Sequence, residues 1–461
     1  MSQQSVVEKH TIGYVPPEDR HGKVRDLFTL WFGTNIAPLP VVTGAAGVTV
    51  FHLNLVWCVV AIVVGHLVGG VFMALHSAQG PQMGIPQMIQ SRGQFGSYGA
   101  LIVVVIAAVM YLAFFASNIV LAGQSLHGIA DGVPVSTGIV LGALGSGLIC
   151  VIGYRFIHAL NKVATWVLGV GIVRGIGAIF VSGVPATFWS QGGYTTAGFL
   201  ATVSLAALWQ IAFAPYVSDY SRYLPADVGV RATFDATYLG CTLGSILPFT
   251  FGAIVALAMT GSEVMAGVQD TTGMLGTPLL VMFLLSVISH NALNLYGTVL
   301  SAITCVQTFV ANWIPTARTR VVLSLVVIAA STYFAIGVSG DFISHFVDIV
   351  LALLVVLVPW TAINLIDFYL IHRGNYDLDS IFAADGGIYG RFNNKAIIAY
   401  VIGIAVQVPF MNTPLYAGPV SGALGGADLS WIIGLLATGP VYYALARRRE
   451  LAPSELAAAT A

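Results

Sequence analysis

Two short polar sets interrupt apolar stretches and could recognise a ligand. One is Phe114-Phe115-Ala116-Ser117-Asn118, the other Ser289-His290-Asn291-Ala292-Leu293-Asn294. On helices, Phe114 shares a face with Asn118, and Asn291 with Asn294. An aromatic plate one turn from an amide suits a flat heterocycle: the ring stacks, and the amide donates and accepts in its plane. Such a site carries no charge, which suits a neutral substrate. A plainer reading stands beside it, because amides also join neighbouring helices in membrane bundles. His290, whose ordinary pKa is near neutrality, is either a proton site or a neutral, hydrogen-bonded structural residue. Asp219 stands where it could pair with Arg222 or close an inner gate.

Two further stretches supply free backbone groups. Leu30-Trp31-Phe32-Gly33-Thr34-Asn35-Ile36-Ala37-Pro38-Leu39-Pro40 puts two prolines in mid-run. Trp209-Gln210-Ile211-Ala212-Phe213-Ala214-Pro215-Tyr216-Val217-Ser218-Asp219-Tyr220 puts one before a polar run. Proline removes a backbone donor and clashes with the preceding turn. In lipid the freed groups must find partners, so a break survives where protein or a cavity supplies them. A single break is an ordinary kink. Two matched breaks in helices of opposite direction point to a secondary transporter's binding site. Asn35, Ile36, Ala37, Pro38, Ala214 and Pro215 are expected to line it.

Composition sets the medium for these elements. Of 461 residues, 57% are hydrophobic and 8% charged, against roughly 25% charged in soluble domains. A soluble enzyme and a disordered chain are excluded. The net charge of −1 offers no basic face to nucleic acid. A bilayer core of roughly 30 Å takes about 20 apolar residues per helix. On that rule about twelve spans are expected, near 26–50, 53–77, 98–123, 136–154, 157–182, 198–222, 233–260, 276–311, 320–338, 342–371, 396–412 and 428–446. Lys9, Arg20, Lys23, Arg25, Arg92, Arg155, Lys162, Arg222, Arg231, Arg318, Arg320, Arg373, Arg391, Lys395 and Arg447 to Arg449 then all fall on one side. Asp131, Glu263, Asp270, Asp341 and Asp428 fall on the other, so both termini are expected in the cytoplasm. Arg174 and Asp348 are left within spans.

Other chemistry finds no pattern. The cysteines are isolated, no His-x-x-x-His set with a third ligand occurs, and no P-loop is present, so no metal, cofactor or ATP-driven pump is implied. A channel or a membrane-embedded enzyme would show non-saturating flux or a changed product. The paired breaks and the amide-rich set argue against both.

The same residues resemble the nucleobase–cation symporter-1 family, in particular its purine–cytosine permease branch. The motifs run in order along nearly the whole chain. They are Trp31-Phe32-x-x-Asn35 with Thr43-Gly44, then Gly84-Ile85-Pro86-Gln87-Met88 with Ser91-Arg92-x-x-Phe95-Gly96. Next come Phe213, Tyr216, Asp219-Tyr220, Tyr223 and Pro225, then Asn291-x-x-Asn294-x-Tyr296. Asp367-Phe368-Tyr369, Arg373-Gly374-x-Tyr376, Tyr389 and Gly390 complete the series.

The resemblance implies an all-α polytopic membrane protein with a LeuT-like core of ten helices in two inverted five-helix repeats, plus two C-terminal helices. It divides the chain into a cytoplasmic tail (1–25), a first repeat (26–182), a second repeat (198–371), a cytoplasmic connection (372–395), spans eleven and twelve (396–446) and a C-terminal tail (447–461). It implies import of cytosine or purines across the cell membrane with H⁺ or Na⁺. Allantoin, uracil, a hydantoin or another small heterocycle is the alternative cargo. It implies substrate contacts at Phe114, Asn118, Phe213 and Asn294, supported by Asn291, and a cation position at Thr34, Ala37 and Ser289.

Three departures stand out. Many relatives carry tryptophan where Phe114 and Phe213 stand. The purine–cytosine branch often has two adjacent asparagines where this chain has His290-Asn291, and proline where Leu293 stands. Sodium-coupled members pair two hydroxyls in span eight, but here Ser289 follows Ile288, which favours protons.

Overall fold

The computed structural model describes residues 13–447 apart from 153, 262, 311, 312, 314, 414 and 415. Side chains at 150–165, 289, 317, 343 and 354 also lie outside the description. Lys9, Arg448, Arg449 and the side chains of Cys150, Arg155, Lys162 and Ser289 are therefore not placed.

Span 1 is two helices, Val24–Asn35 (1a) and Pro38–Thr49 (1b). Spans 2 to 5 are Leu55–Leu75, Leu101–Ile129, Val135–Ile152 and Tyr154–Ser182. Span 6 is Thr196–Ile211 (6a) and Val217–Ser221 (6b), joined by a tight turn at Ala214–Tyr216. Spans 7 to 10 are Val230–Ala258, Gly276–Phe309, Ala317–Val338 and Phe342–Ile366. Spans 11 and 12 are Asn394–Gln407 and Ser430–Ala446. Seven described helical segments are long and apolar enough to cross a membrane, and five shorter apolar helices account for the remaining spans. The chain is an all-α polytopic membrane protein; among the described residues, extended pairing is confined to a short hairpin, Asn412–Thr413 with Tyr416–Ala417, and a bridge between Leu53 and Gly193.

Boundaries depart from expectation where polar residues still fit a helix. Span 3 continues to Ile129 because Gln124, Ser125 and His127 stay in helical register. The connection after span 2 is helical at Gln79–Met83 and Gln87–Phe95, and Val264–Thr271 adds a helix before span 8.

Both breaks follow from their prolines. Pro38 and Pro40 have no N–H to give the carbonyls of Thr34 and Ile36. The Ile36 N–H turns instead to Gly33 O at 3.1 Å and the Ala37 N–H to Asn35 O at 3.0 Å. Ala37 is extended, and Pro38 restarts the helix from its first turn, where a missing N–H does no harm. In span 6, the Tyr111 hydroxyl of span 3 donates to the Pro215 carbonyl at 3.3 Å. Protein groups thus satisfy each break inside the bundle.

Span 7 packs along both halves of span 1. Of its most apolar window 78% is buried, against 11% for span 9, so span 7 is central and span 9 faces lipid. A Cβ on Gly252 would run into the Val41 backbone, and one on Gly44 into the Phe249 backbone, so glycine is what lets the helices meet.

Toward the side holding both ends of the described chain, buried amides link three elements. Gln87 Nε2 donates to Gln79 Oε1 at 2.7 Å, Gln79 Nε2 to Asn364 Oδ1 at 2.6 Å, and Asn364 Nδ2 to Gln94 Oε1 at 3.0 Å. Asp367, fully buried at the end of span 10, accepts from the hydroxyls of Tyr376 and Tyr442 and lies 2.9 Å from His372 Nδ1. Burial and this carboxylate hold the Tyr376 phenol well above its ordinary value, so it remains a donor. The carboxylate thereby ties span 12 to the 372–395 connection.

Arg174 is exposed on the outer surface of span 5, and Asp348 is half-buried. No ion pair joins them among the described residues.

Candidate substrate and cation site

A cavity of about 50 Å³ lies between spans 1, 3, 6 and 8. It is bounded by Phe114 and Asn118 of span 3, Phe213 and Tyr216 at the span 6 break, and His290 and Asn294 of span 8. The chain brings together polar sets that lie far apart in sequence.

The amides form one network. Asn118 Nδ2 donates to Asn291 Oδ1 at 3.2 Å, and Asn294 Nδ2 to the same oxygen at 3.1 Å. Asn291 Nδ2 donates to Phe115 O at 3.0 Å. Asn291 is fully buried and does not face the cavity, so it fixes the two amides that do. The Tyr216 hydroxyl donates to Asn294 Oδ1 at 2.7 Å. Each cavity-facing amide keeps a second N–H, and Asn118 keeps its carbonyl oxygen, which together match the edge of a heterocycle.

The rings form a box. Trp209 stands edge-on to Phe114 (centroids 6.0 Å apart) and to Phe213 (5.7 Å). Trp31 meets Phe213 at 5.8 Å and Tyr220 at 5.7 Å. Trp209 and Trp31 were not among the expected contacts. The signal was present: Trp209 lies one turn before Phe213, on the same face. An indole is thus supplied beside the phenyl ring that stands where many relatives carry tryptophan.

Asn35 anchors this box from behind. Its Oδ1 accepts from Trp209 Nε1 at 2.6 Å and from Ser245 Oγ at 2.8 Å, while its Nδ2 donates to Trp31 O at 2.7 Å. Of the break residues expected to line the site, Ala37 does so. Asn35, Ile36, Pro38, Ala214 and Pro215 are buried behind the wall, while Pro40 of the same break lines it.

Of the expected cation residues, Thr34 and Ala37 line the cavity. The Thr34 hydroxyl donates to Leu30 O at 2.8 Å. The Ser289 side chain is outside the description. Ser286, one turn before His290, donates to Ile36 O at 3.4 Å, and His290 Nδ1 lies 2.7 Å from Ser286 O. Asp219 does not line the cavity. Its Oδ1 accepts the Gln87 N–H at 2.9 Å at the start of helix Gln87–Phe95, where the helix dipole favours an anion. Arg222 Nε reaches the Asp219 main-chain oxygen at 3.3 Å. His66 accepts from Gln210 Nε2 at 2.9 Å, and His76 stacks on Trp360, as structural residues do.

Apolar spans with two interrupted helices framing a ring-and-amide cavity define a membrane transporter. The chain belongs to the nucleobase–cation symporter-1 family, whose description as a permease for cytosine/purines, uracil, thiamine and allantoin matches residues 14–434. It is a permease rather than an enzyme. A putative purine-cytosine permease of Bacillus subtilis, YxlA, is 38% identical over 96% of each chain. The purine-cytosine permease fcyB of Emericella nidulans is 24% identical over 93% of this chain and 86% of its own. Among solved structures, the nucleobase-cation-symport-1 transporter Mhp1, closed with bromovinylhydantoin bound, superposes with a TM-score of 0.75 at 18% identity, covering 96% of this chain and 95% of that one. Its inward-facing form gives 0.74 at 19% identity over 97% and 94%. These structures share the LeuT-like fold.

Proposed function

We propose that the chain imports cytosine and purine nucleobases across the cell membrane by proton symport through alternating access. The observation that carries this is the uncharged cavity, in which Phe114, Trp209 and Phe213 surround the open edges of Asn118 and Asn294. A neutral planar base stacks on such rings and pairs with such amides. The purine-cytosine permeases among its relatives support that cargo. Residues 26–182 and 198–371 act as the two inverted repeats, with both termini cytoplasmic. Asp219, holding helix Gln87–Phe95, serves the inner gate. Protons are favoured over Na⁺ because a hard cation wants several oxygens, and Ser289 lacks a hydroxyl neighbour at Ile288.

A second cargo, a hydantoin-like ring, is favoured by one observation: the fold neighbour of 0.75 TM-score holds bromovinylhydantoin. Uptake of labelled cytosine, adenine, hypoxanthine and allantoin, at two pH values and with or without Na⁺, separates these readings. Saturable cytosine uptake that rises at acid external pH is expected. Uptake of allantoin alone, or none that follows a cation gradient, would sink the proposal.

A further inference from the structure

We propose that a second pocket, between the ends of half-helices 1b and 6a and the connection joining spans 11 and 12, binds a small organic ammonium ion. Its occupancy restrains those elements from moving apart. This goes beyond the nucleobase reading above, and the binding itself does not depend on that reading.

The pocket holds about 230 Å³. Its wall includes Val50 and Phe51 after half-helix 1b, Ala201 of 6a, Leu351 of span 10, and Asn412 and Asp428 of the connection. Most of that wall is apolar. Asp428 is the exception: 7% exposed, it supplies the one charge among the described lining residues. Its Oδ2 accepts the Asn412 N–H at 2.9 Å and its Oδ1 the Ser430 N–H at 2.8 Å. The second bond caps the start of span 12, a task that asparagine performs as well. Neither bond brings a positive charge. Among the described residues no lysine, arginine or histidine lines the pocket or pairs with Asp428. A buried carboxylate without a counter-charge is costly, and a cation entering the pocket removes that cost.

The rest of the wall sets the kind of cation. Asn412 spends an amide N–H on Gly426 O at 2.6 Å, and its Oδ1 takes no bond among the described residues. The polar capacity left is therefore that of acceptors, which suits a ligand with N–H donors. Phe51 adds a ring, toward which a cation is attracted. A hard metal ion such as Ca²⁺ takes about six to eight oxygens, and one carboxylate with one amide falls short of that. A primary ammonium on a short hydrocarbon body satisfies both halves. Its charge meets Asp428, and its body fills the space beside Val50, Ala201 and Leu351.

Position gives the pocket its effect. On half-helix 1b, Leu39 and Pro40 line the substrate cavity, and Val50 and Phe51 the pocket. On 6a, Trp209 and Ala212 line the cavity, and Gly198 and Ala201 the pocket. Each corresponding pair is eleven residues apart in sequence. Eleven residues make three turns, so the two sites share a face of each half-helix, roughly 16 Å apart. The connection is fastened to 6a, because Trp431 Nε1 donates to Ser204 Oγ at 2.8 Å. A ligand seated between Phe51 and Asp428 adds a bridge from that connection to 1b. Any rearrangement that separates them must break it, so the bound ion favours one arrangement over the others. Turnover then slows although nothing enters the substrate cavity.

The test uses purified full-length protein in nanodiscs, with labelled benzylammonium as the probe. Wild type is expected to bind it saturably and to keep it in excess cytosine. Asp428→Asn retains the cap and loses the charge, so affinity should fall roughly 10- to 100-fold. Ala201→Phe fills the pocket from 6a and should remove binding with Asp428 intact. Benzyl alcohol, of the same shape without charge, should not displace the probe at equal concentration. Absence of saturable binding in wild type, full affinity in either variant, or displacement by cytosine or by the alcohol overturns the site. In proteoliposomes, saturating benzylammonium should lower the maximal rate of cytosine uptake and leave the half-saturating concentration unchanged. An unaltered maximum, or equal inhibition of Asp428→Asn, overturns the restraint. A wild type that binds the probe as described but carries no cytosine upholds the pocket and refutes the nucleobase reading instead.

Discussion

Asn291 never faces the ligand cavity, yet two of the amides that do depend on its Oδ1. Its removal frees Asn118 and Asn294 to rotate. Asn118→Ala and Asn294→Ala are expected to raise the half-saturating cytosine concentration roughly 10- to 100-fold, the loss of one or two buried hydrogen bonds. Asn291→Ala should act in the same direction without touching substrate. Concentration-dependent uptake at matched membrane levels checks all three; unchanged values in the first two would remove the assignment. The asparagines and Phe114 were legible because spacing alone puts them on shared faces. Trp209 and Trp31 were not, because an indole in an apolar run reads as packing until Asn35 is seen to hold Trp209 from another span.

At the scale of elements, the broken helices were legible because proline has a fixed consequence in any helix. Which side the break presents was not. That depends on what lies across from it, such as Ser286 on span 8 and Tyr111 on span 3, and no local rule states it. The helix at Gln87–Phe95 was missed for a related reason. Its glutamines and serine look like loop composition, yet Gln94 and Ser91 accept from Asn364 and Trp360 of span 10, and Gln87 donates to Gln79. The span 1–span 7 contact gives a direct test. Gly252→Val should force the Val41 backbone away and lower stability by about 1–3 kcal/mol, as overpacking does. A melting curve in detergent reads this, and an undiminished midpoint would show that the helices can separate freely.

For the whole molecule, the scarcity of charge made the apolar spans legible: among the described residues, seven helices are long and apolar enough to cross a membrane and five shorter apolar ones accompany them. Orientation is then expected to be testable with single cysteines in a background lacking Cys58, Cys150, Cys241 and Cys305. A cysteine at Ala423, exposed in the connection before span 12, should react with an impermeant reagent from outside the cell, and one at the exposed Lys395 only after lysis. The reverse pattern would invert the transporter. The Asp367 cluster belongs to this scale as well, since it joins span 10, the connection and span 12, three elements whose association no local pattern announces.

The cavity lining contains no fixed charge. Attraction between ions is screened by salt, with a Debye length of roughly 8 Å at physiological ionic strength; hydrogen bonds and ring contacts are not. Base recognition by this protein should therefore be indifferent to ionic strength. The half-saturating concentration for cytosine measured in low and high potassium chloride at constant pH should coincide, and a marked rise with salt would mean that an ion, rather than the amide network, holds the base.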